Sequence, residues 1–296
     1  MTRGVADDLV LDVRDRAAFL RGHAPGAAHL PVAEWSERAA ELPPREDSFV
    51  VVAEDDAAAA TAVALLHARG STRARPAPAE VAADRRESGP PRRLAWRPPA
   101  WLAACLAEAT FPAGSPALDV ACGSGRVVAV LAAHGLTATG VDLLPDALER
   151  AHRLAAAAGV EAAFVLADAE HPLPFRPGTF RLITGFRYLD RGLFRAMAEL
   201  LQPGGELWWE TFGEAQARFG HPRRAAFLLA PGELAALCGE AGLTVLATSE
   251  TCPPGGPALS AVRARRSAAP PLRSDPGSPT LPEPPGDATR LWKEPG

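Results

Sequence analysis

The chain has 296 residues, 47% of them hydrophobic, so it is long enough for about two globular domains. Its formal net charge of -4 provides no electrostatic attraction to nucleic acid or anionic membranes, and no stretch approaches the roughly 20 apolar residues that span a bilayer. The four cysteines have no zinc-ligand spacing, which predicts free thiols and no metal site. The first residues lack a signal-peptide pattern, and we therefore expect a cytoplasmic protein.

A first alternation of strands and helices covers the N-terminal quarter of the chain. The short apolar runs "LVLDV" (9–13) and "SFVVVAE" (48–54) are typical of buried strands, and the stretch 57–70 has a helical pattern that ends at Gly70. The Pro- and Arg-rich stretch after it lacks sustained periodicity. It predicts a linker with a short helical patch near 79–87.

A second, longer alternation runs from about 94 to 266 and predicts a mainly parallel sheet covered by helices on both faces. Within it, "QPGGE" (202–206) is expected to be a turn that leads into "LWWETF". The predicted strands are 116–121, 137–142, 162–167, 180–186, 205–211, 243–249 and 258–264, and the predicted helices are 100–110, 125–134, 145–158, 191–201 and 231–241.

The tail from 267 to 296 is polar, aperiodic and rich in proline, which predicts a disordered or extended segment. Its stretch "PGSPTLP" contains overlapping P-x-x-P spacings of the kind that proline-recognition domains bind. A proline-motif partner is therefore one hypothesis for the tail.

The stretch "ALDVACGSGRVVAV" (117–130) places small residues between a predicted strand and a predicted helix. A P-loop requires G-K-[ST], whereas this turn continues as Gly125-Arg126-Val127, so a P-loop is excluded. A dinucleotide fingerprint would place a small residue at Val128, whose branched side chain argues against that class without excluding it.

The same stretch, "LDVACGSGR", closely resembles the first motif of class I S-adenosylmethionine-dependent methyltransferases, with an acidic residue followed by small residues at alternate positions. The resemblance implies S-adenosyl-L-methionine as cofactor and a Rossmann-like sheet. It also implies that Asp119 holds the ammonium group of the cofactor and that Ala121, Gly123 and Gly125 form the surface that the cofactor contacts.

Later stretches match the same family in order. By resemblance, Asp142 at the end of "ATGVD" accepts hydrogen bonds from the ribose hydroxyls, and Leu143 offers an apolar face to the adenine. Asp168 and Ala169 in "VLADAEHPLPF" are placed where the family reads the adenine edge. Phe186, at the end of the fourth strand, completes the predicted cofactor contacts.

The acceptor side is expected beyond the ends of strands four and five, because ligands of open α/β sheets bind there. Arg187 and Tyr188 are the predicted catalytic residues on that side, and a small molecule is the predicted acceptor. A general base is needed only if the attacking atom carries a proton. Further candidates are Glu210, Thr211, His221 and Arg223.

The N-terminal stretch "LVLDVRDRAAFLRGHAPGAAHLPV" resembles the rhodanese pattern, in which Asp12 and Arg14 organise the loops. The catalytic cysteine of that family should follow the strand "FVVV", but the residue there is Ala53. The acidic run 54–56 that follows would also repel a thiolate or an anionic sulfur donor. We therefore expect this domain to lack sulfurtransferase activity.

The predicted organisation is a small α/β rhodanese-like domain (1–75), a linker (76–93), a Rossmann-like methyltransferase domain (94–266) and the tail (267–296). The stretch "FRYLDRGLF" and the residues after it resemble a small bacterial subgroup related to tellurite-resistance methyltransferases. Two alternatives stay open at this point. One is a non-catalytic cofactor-binding or scaffold protein, and the other is a nicotinamide-dependent oxidoreductase.

Overall fold

The computed structural model describes residues 9–91, 93–253 and 257–268. The strands of this part of the chain form a four-stranded and a seven-stranded sheet, one in each half. No helix among these residues is both long enough and apolar enough to cross a membrane.

The first sheet is parallel and has the order β2-β1-β3-β4. The first two α-helices of this half each follow an aspartate N-cap. The Asp15 side chain accepts from Ala18 N–H (2.6 Å), and the Asp55 side chain accepts from Ala58 N–H (2.8 Å). Its elements are β1 (Leu9–Asp12), α1 (Arg16–Arg21), β2 (Ala28–His29), β3 (Phe49–Val52), α2 (Asp56–Ala68), β4 (Ala74–Pro76) and α3 (Ala79–Ala82), with 3-10 turns at Val32–Glu34 and Ala39–Glu41.

The second sheet has the order β10-β11-β9-β8-β5-β6-β7 among the described strands, and it is parallel except for β11, which runs antiparallel to both neighbours. The helices of this half are α4 (Ala100–Glu108), α5 (Arg126–Ala133), α6 (Pro145–Ala158), α7 (Leu193–Leu200) and α8 (Glu233–Glu240). The strands are β5 (Pro116–Val120), β6 (Thr137–Asp142), β7 (Ala163–Leu166), β8 (Phe180–Phe186), β9 (Leu201–Phe212), β10 (Leu243–Thr251) and β11 (Leu259–Arg266); 3-10 turns cover Glu214–Arg218 and Ala225–Phe227.

These elements match the sequence predictions to within a few residues at each end, with one correction. The predicted turn at 202–206 is part of β9, which begins at Leu201. Pairing with β8 shifts register between Phe180 and Leu182, and Gly204 adopts φ 75°. The predicted turn therefore takes the form of a bulge inside a longer strand, because Leu201 and Glu206 are paired with β8 whereas residues 202–205 between them pair with no described strand. The predicted disordered tail from 267 lies almost wholly outside the described residues.

Both faces of the second sheet are buried, as the alternation of Trp208 and Trp209 on β9 illustrates. Both side chains are fully buried, yet they belong to different apolar clusters because successive strand residues point to opposite faces. Gly185 on β8 is paired with Trp209. A Cβ at Gly185 would lie 2.4 Å from Cη2 and Cζ3 of that ring, so the glycine makes room for the indole.

The two halves meet along the segment that precedes α4. Ala95 is buried in the core of the first half, whereas the next residue, Trp96, is buried in a core cluster of the second half. Upstream, Glu87 exchanges backbone hydrogen bonds with His23, and its side chain accepts from Gly26 N–H (3.1 Å). The connection is therefore packed against both domains.

We predict that Gly185→Ala destabilises the protein by about 1–3 kcal/mol, because the added methyl group overpacks a buried indole that cannot move aside. The free energy of unfolding from urea titration checks this prediction.

Gly239→Ala is the matched control for that variant. Gly239 lies inside α8 and an added Cβ meets nothing within 4 Å, so alanine there should be neutral or stabilise by about 0.5–1 kcal/mol. Equal stabilities of the two variants would contradict the packing argument.

Candidate functional site

The candidate site lies at the carboxyl ends of the central strands of the second sheet. β5 is paired with β6 on one side and with β8 on the other, so the chain reverses its direction of progress across the sheet at β5. Open α/β sheets bind ligands at such a switch point. A cavity of about 330 Å³ lies there, the switch-point cavity, lined by Trp96, Arg97, Pro99, Asp119, Ala121, Cys122, Gly123, Ser124, Arg126, Val127, Phe186 and Arg187.

The small-residue turn after β5 forms one wall of this cavity. Ala121 (φ 53°), Gly123 (φ 54°) and Gly125 (φ 74°) all adopt left-handed backbone conformations. A Cβ on Gly123 would meet nothing within 4 Å, so the backbone there faces open space. A Cβ on Gly125 would lie 2.8 Å from Cβ of Ala151 in α6, and Gly125 does not line the cavity. The predicted contact surface therefore comprises Ala121 and Gly123, whereas Gly125 serves helix packing.

Asp119 is the buried acid of the site. Its Oδ1 accepts a hydrogen bond from Thr184 Oγ1 (2.7 Å) on the neighbouring strand β8. Burial raises the pKa of Asp119 to about 7; the Thr184 hydrogen bond opposes this shift and the nearby Asp142 carboxylate adds to it. A cation that entered the cavity would favour the ionised carboxylate, so the side chain is suited to bind an ammonium group.

Asp142, at the end of β6, links this strand to the turn that follows β5 through a hydrogen bond. Its Oδ2 accepts from Gly123 N–H (2.7 Å) and its Oδ1 accepts from Leu144 N–H (3.0 Å). Each carboxylate oxygen can accept a second hydrogen bond, so both retain capacity for a ligand hydroxyl. Leu143 follows β6 directly, is 59% exposed and lies outside the cavity lining.

Asp168 and Ala169 follow β7 and also lie outside the cavity lining. The Asp168 carboxylate accepts from Glu170 N–H (3.0 Å) and pairs with Nδ1 of His171 (2.9 Å). The backbone hydrogen bond from Glu170, followed by the His171 contact, lowers the pKa of Asp168. Ala169 is buried in the apolar core.

Phe186 and Arg187 form the opposite wall, at the end of β8. Arg187 has φ 64° and donates its backbone N–H to the Glu210 carbonyl (2.8 Å). Its Nη2 lies 3.3 Å from Oε1 of Glu210, and its Cζ lies 5.0 Å from the ring centroid of Phe212. Ala121 and Arg187 are the two non-glycine residues with positive φ in the described part of the chain, and both line this cavity. Strain of this kind concentrates at functional sites.

Glu210 is buried behind Arg187, and its Oε1 accepts no hydrogen bond from any described residue. Burial raises the pKa of Glu210, and the Arg187 guanidinium opposes the shift. Burial lowers the pKa of Arg187; Glu210 counteracts this, and repulsion from Arg126 adds to it. The Arg187 guanidinium, which is paired with Glu210, therefore lies at the cavity wall and can bind an anion.

Tyr188 and the remaining acceptor-side candidates do not line the cavity. The Tyr188 carbonyl accepts from Trp209 Nε1 (2.9 Å), and burial followed by nearby carboxylates raises the pKa of its hydroxyl to about 12. A phenol with that pKa stays protonated at neutral pH and is a poor base. Thr211 is buried, whereas His221 and Arg223 are exposed.

Sequence reasoning missed seven residues of the cavity wall, which are Trp96, Arg97, Pro99, Cys122, Ser124, Arg126 and Val127. The Arg126 guanidinium lies 5.8 Å from the ring centroid of Trp96, which brings the connecting segment onto the first turn of α5. The local signal was "AWRPPA", an aromatic and basic stretch at the edge of a segment otherwise typical of a linker.

Residues 1–93 contain no cysteine, since Cys105 is the first in the sequence. Ala53 follows β3 and is buried, and Asp55 in the next loop caps α2. Asp12 and Arg14 form the expected network, with Arg14 Nε donating to Asp12 Oδ1 (2.9 Å) and Nη2 donating to the Gly22 carbonyl (2.8 Å). The scaffold of the predicted loop network is thus present without a thiol nucleophile.

Metal ligation was not expected, and the described residues contain no group of three or more His, Cys, Asp and Glu side chains that could hold a metal ion.

Curated relatives match part of the chain. The chain is 31% identical over 112 residues to the ubiquinone biosynthesis O-methyltransferase of Xanthomonas euvesicatoria pv. vesicatoria, which covers 36% of this chain and 47% of that protein. The Xanthomonas campestris pv. campestris protein of the same name is 29% identical over 136 residues, covering 44% and 56%. The chain thus spans about half the length of the curated relatives that it matches.

Solved structures match somewhat more than half of the chain. One is a SAM-dependent methyltransferase from Methanosarcina mazei, with 20% identity and a TM-score of 0.46 over 54% of this chain and 95% of that one. Another is an S-adenosylmethionine-dependent methyltransferase from Mesorhizobium loti, with 20% identity and a TM-score of 0.46 over 55% and 96%.

Two family models match separate parts of the chain. The rhodanese-like domain model matches residues 2–75, which include the four strands of the first sheet up to Arg75. The methyltransferase domain model matches residues 117–205, which include the turn after β5 and the strand ends around the switch-point cavity. The chain therefore carries a rhodanese-like domain followed by a methyltransferase domain.

Proposed function

We propose that the protein transfers a methyl group from S-adenosyl-L-methionine to a small-molecule acceptor at the switch-point cavity. The observation that carries this proposal is the left-handed turn of Ala121 and Gly123, which presents open backbone to the cavity beside Asp119. Asp142 lies outside the cavity lining and accepts a hydrogen bond from Gly123 N–H. The methyltransferase domain model covers this turn.

The residues of the cavity fit the cofactor. In this proposal Asp119 binds the ammonium group, and Asp142 accepts from the ribose hydroxyls while it holds Gly123 in place. At Gly123 the turn offers no side chain where the cofactor must approach the backbone. Leu143, Asp168 and the backbone N–H of Ala169 would then contact adenine beyond the ends of β6 and β7.

The cofactor supplies an activated methyl group, so the protein has to orient the acceptor and exclude water. We assign Phe186 to the wall that separates the methyl group from the sheet, and Arg187 to the acceptor. We propose Tyr188 only as a positioning residue, because its hydroxyl stays protonated at neutral pH. Soft nucleophiles such as thiolates would need no base.

Further proposals concern the rest of the chain. The rhodanese-like domain is non-catalytic, because no thiol replaces the missing nucleophile at Ala53. A cytoplasmic location is supported by the free cysteines. Membership of the tellurite-resistance-like subgroup and a proline-motif partner for the tail rest on the sequence alone; the tail motif lies outside the described residues.

We predict micromolar binding of S-adenosylhomocysteine to the wild-type protein and a loss of affinity of about tenfold or more in Asp142→Ala, because the ribose loses its acceptors. Isothermal titration calorimetry measures both. Asp146→Ala is the control, an exposed acid in the first turn of α6 that should bind normally. Absence of binding by the wild type would refute the proposed function, and binding without turnover on any acceptor would favour a cofactor-binding scaffold.

We predict that the affinity for S-adenosylhomocysteine rises with pH between 6 and 8. Asp119 must be ionised to bind an ammonium group, and its pKa of about 7 in the free protein leaves most of it protonated at pH 6. The affinity should therefore be about tenfold weaker at pH 6 than at pH 8. Asp119→Asn should bind weakly at both pH values and lose this dependence. A wild-type affinity that does not change across this range would contradict the assignment of Asp119.

We predict that the full-length protein has no thiosulfate sulfurtransferase activity, and that Ala53→Cys does not restore it. The acidic run of Glu54, Asp55 and Asp56 would raise the pKa of a new thiol and repel thiosulfate. Cyanide-dependent thiocyanate formation is the measurement, with an active rhodanese as positive control. Turnover by the wild type would contradict the proposal.

A further inference from the structure

A second cavity lies beside the switch-point cavity, where the two domains meet. This junction cavity has a volume of about 520 Å³. The rhodanese-like domain supplies one wall, from the start of β1, the approach to β3 and the edge strand β4, and the segment 93–98 supplies the other. The volume is in the range of small-molecule sites.

The junction cavity is basic in a chain with a formal net charge of -4. Two carboxylates, Glu46 and Asp47, line it against four guanidinium groups. The four arginines are Arg73, Arg75, Arg93 and Arg97. Guanidinium groups bind carboxylate and phosphate oxygens through paired hydrogen bonds, so this charge pattern selects an anion.

Contacts with the protein hold three of these arginines in place. Arg97 pairs with Asp47 (2.7 Å), Arg73 donates to the Glu46 carbonyl (3.0 Å) and Arg75 donates to Ser48 Oγ (2.9 Å). These arginines are solvent-exposed, so each contact restricts its side chain only in part and an anion can still reach the guanidinium group.

The two cavities share a wall made of Trp96 and Arg97, which line both. Trp96 is buried, and its Nε1–H has no acceptor among the described residues. Buried polar groups without a partner are rare in native proteins and call for an explanation such as a bound molecule. On the other side of the indole, Arg126 and Arg187 line the switch-point cavity.

We propose that the junction cavity binds the anionic group of the methyl acceptor, so that the nucleophilic end of the acceptor reaches past Trp96 to the switch-point cavity. The acceptor is therefore a small molecule with carboxylate or phosphate groups, and the rhodanese-like domain forms part of its binding site through Arg73 and Arg75. This inference rests on the proposed methyl transfer, and its test is separable from the test of that function.

The first test uses anion probes on the full-length protein saturated with S-adenosylhomocysteine. Pyrophosphate and citrate, titrated separately by calorimetry, distinguish phosphate from carboxylate preference. We expect one of them to bind, and Arg73→Gln/Arg75→Gln to weaken its affinity by about tenfold or more. The affinity of the same variant for S-adenosylhomocysteine should stay within twofold of wild type.

Arg195→Gln is the matched control, since Arg195 is an exposed arginine on α7 that lines neither cavity. Equal weakening of probe binding by this control would indicate a general charge effect and overturn the inference. Absence of probe binding, or displacement of S-adenosylhomocysteine by the probe, would also overturn it. Failure of S-adenosylhomocysteine to bind would instead refute the proposed function.

The second test uses matched acceptor pairs, with release of S-adenosylhomocysteine as the readout. Mercaptopropionate is compared with mercaptopropanol, and protocatechuate with catechol. We expect the anionic member of a pair to react with a KM at least tenfold lower, and Arg73→Gln/Arg75→Gln to raise that KM with little effect on kcat. Preference for the neutral member would overturn the inference. If neither pair reacts, the probe titrations decide it.

Discussion

The hydrogen bond between Asp142 and the backbone N–H of Gly123 ties together the ends of β5 and β6, and the site is built around it. It fixes a turn that leaves the sheet in a left-handed conformation and enters α5 directly at Arg126. Within this turn Gly123 faces the cavity, whereas Gly125 admits the close approach of α6. One short segment therefore meets two separate demands, an open backbone for a ligand and a tight contact between helices.

The sequence was sufficient for the two α/β folds, because strands and helices with clear hydrophobic periodicity dominate both. It was less informative about packing between distant residues. Val128 was taken as an obstacle to close packing of α5, yet the side chain is fully buried. Gly140 on β6 makes room for it, since a Cβ there would lie 2.9 Å from Val128 Cγ2. Such complementarity depends on register between elements, which a local pattern does not contain.

The candidate site was partly predictable for a related reason. Asp119 follows from the resemblance to the methyltransferase motif, and Phe186 follows from the rule that ligands bind beyond the carboxyl ends of parallel strands; both line the cavity. Trp96 and Arg97 could not be derived in this way, because they precede the first strand of the domain and reach the cavity through contact with α5. Tyr188 was adjacent to a cavity residue in sequence, but its neighbourhood is the core beneath the strand end.

Ala95 and Trp96 explain how a domain without its nucleophile can still belong to the working protein. Because these neighbours pack into different cores, neither domain can shift without disturbing the other. The starts of β1 and β3 lie at the junction cavity, whereas Ala53 follows the opposite end of β3. Loss of the thiol at one end of that sheet leaves the basic wall at the other end intact. In our proposal the role of the domain is to shape and charge the approach to its neighbour's cavity, a role that depends on arginines and packing and needs no sulfur chemistry.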